Sequence, residues 1–419
     1  MRALHRCVAC GSDEFAAQVW GQRPLLTRAA ELPRDYSDLL SPGMVDEIIA
    51  ERGVRTPFVR MAREGTLVDR ACFTRSAGFG AQIADQLDPD GVLTQYAAGA
   101  TLVLQGLHRF WPPIIDFVRG MTSDIGHPVQ TNAYITPPAN RGFDPHYDVH
   151  DVFVLQVSGT KRWRVHEPVH HHPLADQPWT DHREAIAERA KDEPVIDTVL
   201  EPGDCLYLPR GWIHSAEAQG DTSIHLTVGV APLTGHDVAT AMIEALASEA
   251  ELRASLPFGL APVDAARAEP HAREVLDVLA RLIAEKQEQL SALAGDALAG
   301  KYLDLTRPAA IRPLATLDAV AALDADTRLR LREGLHVRVD CTECDSDSDS
   351  DADADAANPG TVVLRLPTKS VTFPAVCTSA LRAVLEGDPV SAGSLPGLDA
   401  DDGRVVLRRL LREGVVVAL

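Results

Sequence analysis

The stretch Asp144-Pro145-His146-Tyr147-Asp148, followed later by Leu208-Pro209-Arg210-Gly211-Trp212-Ile213-His214, decides how this chain is read. In an extended strand successive side chains alternate faces, so His146 and Asp148 point the same way. His214, 66 residues beyond Asp148, is placed to add a third ligand from a neighbouring strand. Two imidazoles and one carboxylate make the facial triad of a non-haem Fe(II) site, which leaves adjacent metal positions open for a co-substrate and dioxygen. The tripeptide alone is weak, since about one His-x-Asp is expected by chance in a chain with 15 His among 419 residues.

The surroundings carry more. Asp151 to Ser158 reads as a mostly apolar strand, Gly159-Thr160 as a turn, and Lys161 to Val165 as the returning strand of a hairpin. Glu201-Pro202-Gly203-Asp204 reads as a second turn and Cys205 to Leu208 as a short strand. Pro209-Arg210-Gly211 is then the turn that delivers His214, and Ser223 to Val230 a further strand. Short strands with regular turn punctuation are the pattern of a β-barrel or jelly roll.

The two segments DPHYDVHDVFVLQVSGTKRWRVHEP and GDCLYLPRGWIHSAEA resemble the cupin-type JmjC oxygenases, and among them the ribosomal-oxygenase group that hydroxylates ribosomal-protein side chains. The resemblance is strongest between Thr131 and Val230; outside it, Trp20 to Leu26 and the C-terminal part match in pattern only. It implies Fe(II) held by His146, Asp148 and His214. It also implies that Lys161, 15 residues after His146, binds the distal carboxylate of 2-oxoglutarate, with Asn132 and Tyr134 lining the same co-substrate pocket. A lysine suits that place, because a buried carboxylate needs a paired cation and an ammonium is a compact point charge. The implied activity is hydroxylation of a His or Arg side chain of a ribosomal protein. A small molecule or another peptide as substrate, JmjC demethylation, and a non-enzymatic metal-binding cupin stay open as alternatives.

Plainer readings compete at each of these residues. A histidine in a β-rich domain is usually a surface or hydrogen-bonded core residue, and Lys161 taken alone reads as an exposed turn residue. His170, His171 and His172 lie in a Pro-flanked loop and read as solvated rather than as a second metal site. His225 sits in a strand pattern and could border the pocket, although packing is the default. Tyr207, Trp163 and Trp212 read as core or pocket wall.

Composition fits a multidomain enzyme: 45% of residues are hydrophobic, with no apolar run long enough to span a bilayer and no hydrophobic signal region near the start. The expectation is a cytoplasmic protein that does not bind membranes. Seven cysteines, an odd number, argue against a disulfide framework, and the pairs Cys7/Cys10 and Cys341/Cys344 lie too far apart in sequence to suggest a zinc site strongly. A formal charge of −20 opposes DNA binding and favours a basic protein partner. Part of that charge lies in Asp345 to Asp355, which departs from a calcium loop at Ser350 and Ala356 and reads as a solvated, disordered loop.

The expected fold class is α+β: a double-stranded β-helix (jelly-roll, cupin, JmjC) core, then a helical dimerisation module and a winged-helix-like C-terminal domain. The boundaries are 1–90 for an N-terminal extension containing a helix at Met44 to Ala50, 91–234 for the catalytic core, 235–301 for the helical module and 302–419 for the last domain with its acidic loop 345–358. Val275, Leu279, Leu282, Ile283, Leu290 and Leu293 form one helical stripe, which the resemblance assigns to a homodimer interface and which packing on the chain's own barrel would equally explain. In the last domain, strands are expected at His336 to Asp340 and Val362 to Phe373, and helices at Ala380 to Glu386 and Arg404 to Glu413.

Overall fold

A computed structural model describes residues 3–63, 65–80, 82–138, 144–261, 263, 265–342 and 360–419. The acidic loop 345–358 and Cys344 lie outside these residues. The chain divides into two compact units, Met1–Leu233 and Thr234–Leu419.

The first unit carries the strands β1 (Leu25–Thr27), β2 (Val59–Arg63), β3 (Thr66–Leu67), β4 (Thr74–Arg75), β5 (Gln86–Leu87), β6 (Thr101–Leu104), β7 (Val129–Thr136), β8 (Asp151–Ser158), β9 (Lys161–His166), β10 (Ile196–Leu200), β11 (Cys205–Leu208), β12 (Ile213–Ala218) and β13 (Ser223–Val230). One antiparallel sheet of eight strands runs in the order β1, β11, β8, β13, β7, β6, β2, β3; a smaller sheet runs β10, β9, β12. From β8 onward the chain passes back and forth between the two sheets, the winding of a jelly roll.

The sequence of β8 explains its central place. Its residues through Gln156 are buried without alternation, because the strand has cover on both faces. Phe153 and Leu155 pack outward into a core shared with Phe15, Ile48 and Phe117 of the N-terminal helices. Val152 and Val154 point the other way, against Trp163, Val165 and Leu206 between the sheets. The helix expected at Met44 to Ala50 is present as Pro42–Glu51, with the Ser41 hydroxyl accepting the Met44 N–H at its start.

One expectation is corrected here. Lys161 to Val165 is not the returning strand of a hairpin with β8: both edges of β8 are taken by β11 and β13, and β9 pairs with β10 and β12 in the other sheet. Gly159-Thr160 is therefore a corner between sheets rather than a hairpin turn. It is tight, with Gly159 at φ +63° and no room for a Cβ, which would meet the Thr222 carbonyl oxygen at 2.1 Å.

In the second unit, helices Gly235–Leu246, Ala250–Arg253, Ala265–Glu285, Gln287–Leu305 and Pro313–Ala322 precede β14 (Leu329–Leu331), β15 (Arg338–Thr342), β16 (Thr361–Leu366), β17 (Lys369–Pro374), helices Thr378–Leu385 and Ala400–Arg412, and β18 (Val416–Ala418). The apolar stripe expected as one helix is broken at Lys286 into two. Leu282 and Leu290 are buried together with Leu246, while Val275, Ile283 and Leu293 stay 38%, 42% and 44% exposed. The strand expected from Val362 to Phe373 is likewise two strands, β16 and β17, paired with each other. Pro367 between them has no N–H to give to a ladder, which favours a turn there.

Candidate metal centre and co-substrate pocket

His146 and Asp148 precede β8, and His214 is the second residue of β12. Their ligand atoms lie within 4.8 Å of one another, with His214 Nε2 at 3.6 Å from an Asp148 carboxylate oxygen. The backbone enforces this: the His146 N–H donates to the His214 carbonyl at 3.1 Å, the His214 N–H donates to the His146 carbonyl at 2.8 Å, and the Gly211 N–H reaches the Asp148 carbonyl at 3.0 Å. Gly211 turns the chain at φ +88°, where a Cβ would meet the His170 carbonyl oxygen at 2.6 Å.

Both imidazoles are oriented as metal ligands need to be. His146 Nδ1 contacts the Asp144 carbonyl at 2.7 Å and His214 Nδ1 the Trp212 carbonyl at 3.0 Å. A carbonyl can only accept, so each Nδ1 carries a proton, which leaves Nε2 as the atom each ring can offer to a metal. Burial, and then the neighbouring His146, push the His214 pKa down to about 4, which keeps that ring neutral at ordinary pH. Burial opposes the Asp148 carboxylate, but the histidines around it, His150 first, leave its pKa below the usual carboxylate value. Two neutral imidazoles and a carboxylate with an open side suit Fe(II) or a similar divalent ion.

The turn carrying Arg210 is tied in from behind. Asp151, fully buried, accepts the Tyr207 hydroxyl at 3.0 Å and the Arg210 N–H at 3.3 Å, and the Tyr207 oxygen in turn accepts the Gly21 N–H at 2.8 Å. This links the Trp20-Gly21 segment to the strand that leads into the site.

A cavity of about 280 Å³ opens beside the triad. Lys161 lines it, 3% exposed, and donates to the Thr136 hydroxyl at 3.2 Å. Among the described residues no carboxylate pairs with it, and burial pushes its pKa down to about 8. A fixed cation beside a hydroxyl, waiting in a polar-tipped cavity, is the counterpart of a carboxylate ligand.

Tyr134 lines the same cavity and stacks on His225 at 5.1 Å between ring centres. Asn132 is not among the lining residues; its side-chain oxygen accepts the Gly106 N–H at 2.9 Å, so it props the adjoining loop. The pocket includes His225, which the sequence left between packing and the pocket border, and residues whose part the sequence did not reveal: Arg60, Thr136 and Trp179. Thr136 could have been read from the alternation Asn132, Tyr134, Thr136 along β7. Arg60 carried no signal, because it reaches the cavity only through cross-strand pairing. His225 is 3% exposed, its Nδ1 lacks a hydrogen-bond partner, and burial followed by the Lys161 charge holds its pKa well below the usual value. Trp163, edge-on to His225 at 5.5 Å, forms the wall between Lys161 and His214.

Among the described residues, His146, Asp148 and His214 are the one grouping of metal-binding side chains. His170 instead stacks on His182 at 4.7 Å and meets Gln177 Oε1 at 3.1 Å. Cys7 is buried in the apolar core of the first unit.

Residues 109–238 match the JmjC domain family. Ribosomal oxygenase 1 of Bos taurus is 33% identical over 217 residues, and that of Homo sapiens 32% over 217, in each case 52% of this chain. A Culex quinquefasciatus protein named bifunctional lysine-specific demethylase and histidyl-hydroxylase NO66 is 28% identical over 264 residues, or 59% of this chain. The chain spans about a third of the length of these curated relatives, 31%, 32% and 38% respectively. Among solved structures, the Escherichia coli ribosomal oxygenase YcfD superposes with a TM-score of 0.51 at 17% identity, covering 98% of both chains. A structure of YcfD in complex with cobalt and 2-oxoglutarate gives 0.50 at 16% identity, again over 98% of both. The fold is thus that of a JmjC cupin with a large antiparallel sheet and added helices, and the chain carries a JmjC domain over residues 109–238 and is similar to the ribosomal oxygenases.

Proposed function

We propose that this protein is an Fe(II)- and 2-oxoglutarate-dependent oxygenase that hydroxylates a His or Arg side chain of a ribosomal protein. The observation that carries the reading is one pocket holding a His-Asp-His cluster and, across Trp163, a buried lysine with no carboxylate partner among the described residues. When bound, the iron supplies the coupling of 2-oxoglutarate decarboxylation to oxygen insertion: one atom of dioxygen goes to the substrate C–H bond, the other to succinate, and carbon dioxide leaves.

The chain's own residues bind and orient. His146, Asp148 and His214 hold the metal, with the two Nδ1–H groups pinned to backbone carbonyls so that the rings cannot turn away. Lys161 and Thr136 receive the distal carboxylate of the co-substrate, and Tyr134, His225 and Trp163 wall it from water. No separate acid or base is needed. The relatives named ribosomal oxygenases support a ribosomal protein as substrate, and a chain charge of −20 suits a basic one.

The same reading takes the paired helices Ala265–Glu285 and Gln287–Leu305, with Val275, Ile283 and Leu293 exposed, as a homodimer surface. It takes the part from Tyr302 onward as a winged-helix-like structural or protein-interaction module that does not bind DNA, and places the activity in the cytoplasm. The test of the function is succinate release from 2-oxoglutarate. The expected result is turnover stimulated by purified ribosomal proteins and lost in Asp148→Ala; metal-loaded protein without turnover on any substrate would favour a non-enzymatic cupin.

A further inference from the structure

The alternation that aims His146 and Asp148 into the pocket turns Tyr147, between them, the opposite way. Tyr147 is 1% exposed and packs with Ile186 and Ile213, and its hydroxyl donates to the Gln177 carbonyl at 2.9 Å. The segment between β9 and β10 is thereby fastened to the metal-ligand segment itself. Its own turns are tied as well: the Leu174 N–H donates to the Gln177 side-chain oxygen at 2.9 Å, and the Asp181 N–H to the Pro178 carbonyl at 3.1 Å. Trp179 lies between the anchors Gln177 and Ile186, so packing sets its place relative to the metal ligands.

Trp179 is half-buried, lines the cavity and lies 6.0 Å from the His146 ring, centre to centre. The Arg183 guanidinium covers one face of the indole at 4.6 Å, which leaves the other face and the edge for the cavity. This is the metal end of the pocket. In the register of β9 with β12, His214 stands opposite Val165, four residues from Lys161, or about 13 Å along the strand. The indole therefore stands away from the Lys161–Thr136 pair and beside the position where a substrate side chain would meet the metal. A rigid, partly solvated aromatic ring supplies a large contact area at low entropic cost, the property that makes tryptophan a frequent anchor of protein–protein contacts. We propose that Trp179 is a specificity-determining residue for the protein substrate: its cavity-facing surface packs against an aliphatic or planar side chain next to the residue that is oxidised, with Arg183 holding the ring in place. This rests on the oxygenase reading and concerns how the substrate is held, whichever residue accepts the oxygen.

The test uses the full chain as wild type, Trp179→Ala, Trp179→Phe and Arg183→Ala with Fe(II), 2-oxoglutarate, dioxygen and total ribosomal proteins, the modified position being located by mass spectrometry. A fluorescein-labelled peptide spanning that position, and versions with each neighbouring residue replaced by Gly, then give dissociation constants by anisotropy without dioxygen. The visible band of iron-chelated 2-oxoglutarate, read on the same preparations, reports that each variant is folded with its co-substrate site intact. The expected result is a KM and a peptide Kd raised about tenfold or more in Trp179→Ala, less in Arg183→Ala and little in Trp179→Phe, with 2-oxoglutarate affinity within about twofold of wild type throughout. One Gly replacement is expected to weaken binding about tenfold in wild type and hardly at all in Trp179→Ala, because a contact can be lost only once. If Trp179→Ala loses the band, the same comparison is made with Trp179→Leu, which keeps apolar volume without the flat ring. Losses that add at every peptide position, or a Trp179→Ala protein that binds the peptide as wild type does, would overturn the proposal. So would loss of the band in both the Ala and the Leu variants, which would make Trp179 part of the packing of the metal site. Absence of the band in wild type would instead defeat the oxygenase reading itself, and a band without any modified ribosomal protein would defeat the ribosomal substrate and this inference together.

Discussion

Lys161 shows how function is set against stability at one side chain. An ammonium buried to 3% exposure with only a hydroxyl for company is destabilising until an anion arrives. Lys161→Met should therefore raise the thermal midpoint of the metal-free protein by a few degrees, an effect of about 1 kcal/mol or more, measurable by calorimetry. The same change should weaken 2-oxoglutarate about 100-fold, in line with the roughly 2–5 kcal/mol lost when one partner of a buried charge pair is removed. The pH dependence follows in sign. Burial pushes the Lys161 pKa down to about 8, and on the proposed reading the dicarboxylate binds its charged form, so affinity should be full below that pH and fall as pH rises through it. Titrations of 2-oxoglutarate between about pH 6.5 and pH 9.5 should show a decline approaching tenfold per pH unit above about 8, absent in Lys161→Met. At this scale the sequence was most legible where turn and strand alternation fix a side chain's direction, as for His146, Asp148 and His214, whereas the parts of Lys161 and Tyr134 came from the resemblance, Lys161 alone reading as an exposed turn residue. It was silent on Arg60, which meets the pocket through pairings across β2, β6 and β7 that no local pattern encodes, and it left His225 between packing and the pocket border. Asn132 shows the reverse failure: strand alternation gave its face, but its amide is taken by the Gly106 N–H.

At the level of elements, the corners between the two sheets position the chemistry. Gly211 holds a left-handed conformation between β11 and β12, and a methyl group there would strike the His170 carbonyl oxygen at 2.6 Å and Pro173 at 3.0 Å. Gly211→Ala should cost about 1–3 kcal/mol and, by moving the Asp148–Gly211 contact, weaken Fe(II) binding about tenfold or more. Gly235→Ala, with nothing within 4 Å of its Cβ, should leave both unchanged in the same metal titration and melt. The strand limits Asp151–Ser158, Cys205–Leu208 and Ser223–Val230 were readable because turn residues bound short apolar runs. The partner of β9 was not, because a tight glycine turn marks a hairpin and an inter-sheet corner alike; only the occupied edges of β8 decide between them. The break at Lys286 was missed for a related reason, since the apolar spacing continues across it although the two helices present Leu282 and Leu290 to one buried cluster.

Across the whole molecule, each unit has its own apolar core: Phe15, Phe153 and Leu226 belong to one, Leu329, Leu364 and Leu407 to another. All of the proposed metal and co-substrate residues lie in the first unit. A fragment of residues 1–233 should therefore fold and still bind Fe(II) and 2-oxoglutarate, checked by the same optical titration. Charge acts over the full chain: at −20, the protein should gather a basic substrate by long-range attraction, so raising ionic strength from about 0.05 to 0.5 M should raise the KM for ribosomal protein several-fold while leaving 2-oxoglutarate affinity nearly unchanged. The most direct measurement is anaerobic addition of Fe(II) and then 2-oxoglutarate to the purified protein, followed in the visible spectrum. The expected result is the weak metal-to-ligand charge-transfer band of a chelated 2-oxo acid, abolished in His146→Ala and shifted to higher 2-oxoglutarate concentration in Lys161→Ala. A folded, iron-loaded protein that forms no band would contradict the assignment of this pocket to 2-oxoglutarate chemistry.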